Sequence, residues 1–269
     1  MNALTFDVEE WFQVNCLRRY AAGRWDGLES RAEDQTRKVL SILDEYNTKA
    51  TFFVSGWVSE KKPNISSEIR ERGHEIGSHG FKHTMVYEQT KKEFEEDVKQ
   101  SINAIEKSCG LKPKVFRAPN FSVTRDCLWA LDILKKNGFN CDSSIYPYRL
   151  VNTRNPDAPQ HPYKTENGLW EFPGPTTNML EIRIPYGGGV FLRTQPYFFT
   201  KKAIDRANKK GKPAIVYIHP WELDPHHPKI ACSLKARIIH YARLSRTEKI
   251  LRKLLTDYKF KPIKDTLNL

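Results

Sequence analysis

Short apolar runs of strand character recur along the chain, and stretches with helical spacing separate them. The strand-type runs are Leu4-Thr5-Phe6-Asp7, residues 50–55, Lys114-Val115-Phe116-Arg117, Phe139-Asn140-Cys141-Asp142, residues 169–173 and residues 214–219. Between them, residues 33–46 carry Val39, Leu40, Leu43 and Tyr46 at helical spacing, and residues 64–72 predict a short helix stopped by Gly73. Residues 90–109 are the clearest helix. A Thr90/Glu93 capping box opens it, Phe94, Val98, Ile102, Ile105 and Cys109 form one apolar stripe, and Gly110 ends it. Thr124 caps another, with Leu128, Leu131 and Leu134 inward and Gly138 closing. Residues 200–210 predict a short basic helix and residues 233–258 a long one. Strand then helix, repeated without a linker or internal repeat, predicts one α/β domain over 1–269 with a parallel sheet or barrel. Residues 146–168 are rich in proline and polar residues and read as a long loop. Gly187-Gly188-Gly189 also reads as loop, without the strand–helix context of a phosphate cradle, so no nucleotide site is expected.

Several predicted strands end on a residue with chemistry. Asp7, His79, Arg117, Asp142 and His219 each stand at or just after one. In a (β/α) barrel the C-terminal strand ends share one mouth, so such residues meet although far apart in sequence. Each taken singly reads equally well as a cap, a surface charge or a packed loop residue. His79 and His83 lie four apart, a spacing that in a helix brings two imidazoles within reach of one metal ion, although the segment itself reads as strand and loop. On spacing alone the pair reads equally as two surface histidines.

No apolar run approaches the ~20 residues that span a bilayer. The first residues show no basic segment followed by an apolar one, so a cytoplasmic protein is expected. The five cysteines are scattered without a C-x-x-C pair and read as structural thiols of a reducing compartment. The net charge is +12, and Lys229 to Lys264 holds eleven lysines and arginines against Glu248 and Asp257. This basic C-terminal helical extension, at about 229–269, reads as a solvated helix face or as a surface for an anionic partner. An anionic membrane is the first such partner, and no nucleic acid is expected.

Five segments, in order, resemble the signatures of the polysaccharide deacetylases, the carbohydrate esterases with a NodB-type homology domain. They are Thr5-Phe6-Asp7, Ser78-His79-Gly80-Phe81-Lys82-His83, Phe116-Arg117-Ala118-Pro119-Asn120, Cys141-Asp142-Ser143-Ser144 and Val216-Tyr217-Ile218-His219-Pro220. Tyr186 to Phe191, His219 to Asp224 and Tyr241 to Glu248 resemble the branch found near exosortase and exopolysaccharide loci. The resemblance implies a distorted (β/α)7-type barrel. It implies a hydrolase that removes N-acetyl groups from an amino sugar of a polysaccharide or glycan precursor, using a divalent metal, Zn2+ first. It assigns Asp7 as general base, His79 and His83 as metal ligands and Arg117 as the residue that orients the base. His219 becomes the general acid, Asp142 the partner that fixes its tautomer and raises its pKa, and the backbone near Pro119 and Asn120 a substrate contact that binds the oxyanion. The family's first motif has two adjacent aspartates, whereas Val8 follows Asp7 here. Glu9 is the expected third ligand, with Glu10 as backup, or Asp7 itself if a glutamate is the base. Trp11, Phe12, Tyr146 and Trp221 read as sugar-stacking residues or as ordinary packing, and His226-His227 as a polar loop. Two other functions remain open: an amidohydrolase for small amides, and a non-catalytic glycan-binding protein whose metal site has degraded at Val8.

Overall fold

The computed structural model describes residues 1–148, 155–179 and 182–269. The strands are β1 (Asn2–Val8), β2 (Thr51–Val54), β3 (Glu75–Ser78), β4 (Val115–Phe116), β5 (Cys141–Asp142), β6 (Tyr163–Lys164), β7 (Trp170–Glu171), β8 (Thr176–Met179), β9 (Ile182–Pro185), β10 (Ile215–Ile218) and β11 (Phe260–Lys261). The helices are α1 (Arg18–Ala21), α2 (Ala32–Glu45), α3 (Gly56–Lys61), α4 (Pro63–Glu71), α5 (Lys91–Cys109), α6 (Trp129–Lys136), α7 (Gly189–Thr194), α8 (Tyr197–Lys209), α9 (Leu234–Tyr241), α10 (Thr247–Asp257) and α11 (Ile263–Leu267).

Strands β10-β1-β2-β3-β4-β5-β7 run parallel in that order, β6 adds antiparallel to β7, and β11 pairs with the start of β1. The sheet curls into a half barrel, the (β/α)7-type architecture expected from the sequence. Strand alternation sorts its side chains onto two faces. Leu4, Phe6, Val8, Phe52, Val54, Val216 and Ile218 face outward and join α2, α4, α8 and α10 in the main core. Ala3, Phe53, Val115, Cys141, Phe172 and Ile215 face inward, and Ile263 plugs the bottom beside them. The interior is tight enough to demand glycine at position 77, where a Cβ would lie 2.6 Å from the Phe53 ring and 2.8 Å from Val115. Above this floor the inward positions turn polar: Thr5, then Asp7, with Arg117 and Tyr217 beside them. The mouth is therefore the next turn of the same alternation that builds the core.

Helix α5 carries the expected capping box, and Gly110 ends it in the left-handed conformation at φ +70°. Other elements depart from expectation. Thr124 opens a 3-10 turn over Arg125–Cys127 before α6 begins, which leaves Leu128 exposed instead of inward. The long basic helix predicted over 233–258 is two helices. Arg243 takes φ +55°, and the following turn drops Leu244 into an aromatic cluster with Trp11 and Trp221. In the segment read as an extension, α10 buries Ile250, Leu251, Leu254 and Leu255 in the main core, and β11 joins the sheet. The glycine run bridges Gly188 to Tyr217 on the free edge of β10. A Cβ at Gly188 would sit 2.1 Å from the Tyr217 ring, so this close approach explains the glycine. Of the loop read over 146–168, residues 149–154 lie outside the described residues.

Candidate metal centre and acid–base pair

Asp7 is the last inward residue of β1, and Glu9 is two positions on. A period of two places both carboxylates on one side of the backbone while Val8 turns into the outer core. Glu10 faces the other way. Its carboxylate accepts from Ser30 Oγ and from the Arg31 N–H at 3.0 Å, so it ties down the 29–31 loop.

His79 directly follows β3, and His83 follows a loop rather than a helical turn, with Gly80 at φ +69° and His83 at φ +55°. Asp97 on α5 shapes that loop, accepting from the N–H groups of Phe81 at 2.7 Å and Lys82 at 3.0 Å. Nothing in the sequence singled out Asp97 beyond its place in α5. His79 Nδ1 donates to the Arg117 carbonyl at 2.8 Å. That contact fixes the tautomer and leaves the Nε2 lone pair toward Glu9 Oε2, 3.8 Å away. His83 Nε2 meets the same carboxylate oxygen.

These three ligand atoms lie within 4.8 Å of one another, and all three residues are buried. One carboxylate oxygen and two imidazole nitrogens, with room on the cavity side, could hold a divalent metal ion. The electrostatics agree. Burial alone would raise the Glu9 pKa, but His83, His219 and His79 outweigh it and hold the carboxyl down at about 2. Burial lowers His79 to about 4, which keeps it neutral and able to ligate.

Arg117 runs through the barrel interior, fully buried. Its Nη1 donates to Asp7 Oδ1 at 2.7 Å and to Thr5 Oγ1 at 2.8 Å, while Nε and Nη2 hold the Ser143 carbonyl and hydroxyl. The guanidinium also lies 4.2 Å over the Phe53 ring. Asp7 is thus fixed in direction, with Oδ2 left facing His219 Nε2 at 3.9 Å.

The partner of His219 differs from the expected Asp142. His219 Nδ1 meets Glu222 Oε1 at 2.5 Å, and Glu222 Oε2 faces Arg193 Nη1 at 3.1 Å. The cause is local: His219-Pro220-Trp221-Glu222 forms a one-turn capping box in which Glu222 also accepts from the His219 N–H. That spacing was visible in the sequence; Arg193, from α7, carried no signal. Burial works to lower the His219 pKa, but the Glu222 bond and the charges of Glu9, Glu222 and Asp7 lift it to about 9. These carboxylates favour the imidazolium, with Nε2 held 3.7 Å from Glu9 Oε1.

Asp142 instead accepts from Ser144 and shares a buried contact with Glu171. Burial raises Asp142 to about 6, and burial together with the Asp142 charge pushes Glu171 well above the ordinary carboxyl range. The signs set a stability prediction. Both groups bind protons more tightly folded than unfolded, so their contribution is largest below the unfolded pKa of about 4 and is lost as pH rises, through about 6 for Asp142 and through the raised pKa of Glu171. Glu171→Gln keeps an acceptor for the Ile145 N–H and removes one of the two charges. It should raise Tm by roughly 5 °C at pH 8, from about 2 kcal/mol, and leave Tm at pH 5 nearly unchanged, as read by thermal unfolding at both pH values.

A cavity of about 1130 Å³ opens over Glu9, His79, His83 and His219, with Asn120, Tyr146 and Phe191 among its other walls. Asn120, which takes φ +54° directly after the buried Pro119, is one of these wall residues. Of the predicted stacking residues, Tyr146 and Trp221 line this cavity. Trp221 is already stacked on His219 and His240, and its Nε1 donates to Glu9 Oε1 at 3.2 Å, so it braces the centre. Trp11 and Phe12 do not reach the mouth. Trp11 is buried, bonds the Glu29 carbonyl and stacks on His227, because β1 ends just before them and the chain turns inward. His227 is correspondingly buried between Trp11 and Tyr241 rather than part of an open polar loop.

Residues 3–141 match the family model Polysaccharide deacetylase, and residues 143–268 match a domain of unknown function, DUF3473. A peptidoglycan-N-acetylglucosamine deacetylase of Bacillus cereus is 28% identical over 120 residues, covering 40% of this chain and 44% of that protein. The chain spans less than half the length of the curated relatives it matches. Among solved structures, one from Mycobacterium smegmatis described as a polysaccharide deacetylase superposes with a TM-score of 0.62 at 19% identity, over 98% of this chain and 87% of that one. A CE4 family pseudoenzyme from Bacillus anthracis gives a TM-score of 0.54 at 16% identity, over 99% and 65%.

Proposed function

This chain belongs to the polysaccharide deacetylase family, and on that premise we propose that it hydrolyses the acetamido group of an N-acetylated amino sugar in a polysaccharide or glycan precursor, with Zn2+ as the first candidate metal. The observation that carries the reading is the convergence of Glu9, His79 and His83 on one cavity that His219 also lines, with Asp7 Oδ2 3.9 Å from His219 Nε2. Glu9, His79 and His83 would hold the ion, which when bound polarises the amide carbonyl and acidifies a water molecule.

The remaining chemistry falls to the chain's own side chains. Asp7, oriented by Arg117, takes the proton of the attacking water. The water oxygen adds to the carbonyl carbon, and the carbon–nitrogen bond then breaks. The imidazolium of His219 gives its Nε2 proton to the departing nitrogen, so acetate and a free amine leave. Glu222 holds the Nδ1–H throughout and keeps the ring turned toward the cavity. The Asn120 turn supplies backbone at the wall where the carbonyl oxygen gathers charge. The glycine run, the His219–Asp224 turn and the tail motif support placing the chain in the branch near exopolysaccharide loci. The non-catalytic reading rests on Val8; the position of Glu9 beside His79 and His83 supports the catalytic one.

Acetate release from chitooligosaccharides is the test. The protein should hold close to one divalent ion per chain, lose activity on dialysis against a chelator and regain it with Zn2+. His79→Ala should abolish release. Activity indifferent to both treatments would defeat the metal reading, and glycan binding without metal or turnover would favour the non-catalytic one.

A further inference from the structure

We propose that the outer face of α9, with the adjoining α1 turn, is a docking surface for an anionic lipid bilayer, and that it holds the cavity mouth against the membrane. Helix α9 has two unlike faces. Its inner face is Ala236 and His240, both buried, and His240 stacks on Trp221 with ring centroids 4.4 Å apart. Its outer face shows Leu234, Ile238 and Ile239 at 72%, 55% and 36% exposure. Leu234 and Ile238 are four apart and share one row of the helix surface. A solvated helix face carries polar residues there; the described residues leave Leu234 and Ile238 more than half exposed.

The segment that carries this apolar row holds charge of one sign. From Lys229 to Thr247 the chain holds Lys229, Lys235, Arg237, Arg243 and Arg246 and no aspartate or glutamate. Among the described residues, neither Lys235 nor Arg237 forms an ion pair. Arg18, ion-paired with Glu88, and Arg19 lie across the mouth on α1, and the Tyr20 hydroxyl accepts from the Ser233 N–H at 3.0 Å, which ties α1 to the start of α9. Aliphatic side chains flanked by lysine and arginine are the signature of an element that lies in a bilayer interface, with the apolar residues among the acyl chains and the cations at the headgroups. A second copy of the same face would bring these cations together without an acid between them. A nucleic acid would find no aromatic platform among Leu234, Ile238 and Ile239.

The surface is continuous with the site. Lys235, Ala236 and Ile239 also line the cavity, as do Arg18 and Arg19. Docking through α9 therefore turns the mouth toward the lipid surface, where a membrane-attached glycan would enter directly. The docking face does not depend on the deacetylase reading, because its test needs no turnover.

Vesicle sedimentation decides it. The full chain should partition onto phosphatidylglycerol-containing vesicles at least about ten-fold better than onto phosphatidylcholine alone, and less as salt rises. Arg237→Glu should weaken partitioning about five-fold or more, the loss expected for one basic side chain at an anionic surface. Leu234→Glu with Ile238→Glu should weaken it at least about ten-fold, with Tm unchanged because both side chains are exposed. Equal binding to both vesicle types, or wild-type binding by the double variant, would overturn the proposal. So would a concentration-dependent dimer that the double variant abolishes, since the face would then belong to a protein contact.

Discussion

Glu9→Gln should strip the metal from this protein and lower kcat/KM on an N-acetylated oligosaccharide about a thousand-fold, while Glu10→Gln should spare both. The two residues are adjacent and chemically alike, and only β1 separates their roles. The inward alternation that carries Thr5 and Asp7 continues to Glu9, whose Oε2 faces His79 and His83. Glu10 points to Ser30 and Arg31. The Glu9→Gln change keeps the volume and the contact to Trp221 Nε1 but offers a neutral oxygen where an ionised one balances the cation. The ion's effect on carbonyl and water is worth several kcal/mol, and about 1.4 kcal/mol is one decade of rate, hence the thousand-fold figure. The Glu10→Gln change loses charge-assisted bonds to one hydroxyl and one amide, so its cost should be about 1 kcal/mol of stability. Metal content after dialysis, steady-state kinetics and Tm on the two variants separate these effects. Metal lost from Glu10→Gln and kept by Glu9→Gln would reverse the assignment.

The strands and their polar ends were readable because alternation and strand length are local properties. Asp7, Arg117, Asp142 and His219 stand where β1, β4, β5 and β10 end or have just ended, and His79 follows β3. The Glu9–His79–His83 grouping was also within reach, since a period of two already puts residues 7 and 9 on one side. What local pattern cannot supply is the choice among partners. Asp142 and Glu222 are both buried carboxyl groups near strand ends, and only the three-dimensional arrangement shows Glu222 beneath His219 and Asp142 beside Glu171. Trp11 failed as a mouth residue for a similar reason. Its aromatic character fits a sugar platform and a packed cluster equally well, and the turn after β1 sends it to the cluster. The break at Arg243 leaves no mark in the apolar spacing, because Leu244 is satisfied by a tertiary contact with the Trp11–Trp221 cluster rather than by a helical one.

The partner of His219 makes the second large prediction. Glu222→Gln should move the alkaline limb of the kcat/KM profile to lower pH by at least about one unit, so that activity at pH 8 falls ten-fold or more and activity at pH 6 falls less. The sign follows from the charges. Burial disfavours the imidazolium, and the Glu222 bond with the charges of Glu9, Glu222 and Asp7 restores it, lifting His219 to about 9. Glutamine still accepts the Nδ1 proton but contributes no charge, so the imidazolium loses its proton at lower pH and the acid is absent from more of the enzyme. The variant also leaves the buried Arg193 without its anion, a loss of roughly 3 kcal/mol or more in stability. The double variant Arg193→Met with Glu222→Gln removes both charges together and should recover much of that stability while keeping the shifted limb. Asp142→Asn should leave the limb in place, because Asp142 bonds Ser144 and Glu171 rather than the imidazole. A limb that moves with Asp142→Asn and stays fixed in the Glu222 variants would return the tautomer-setting role to Asp142 and leave Glu222 as a cap on its own turn.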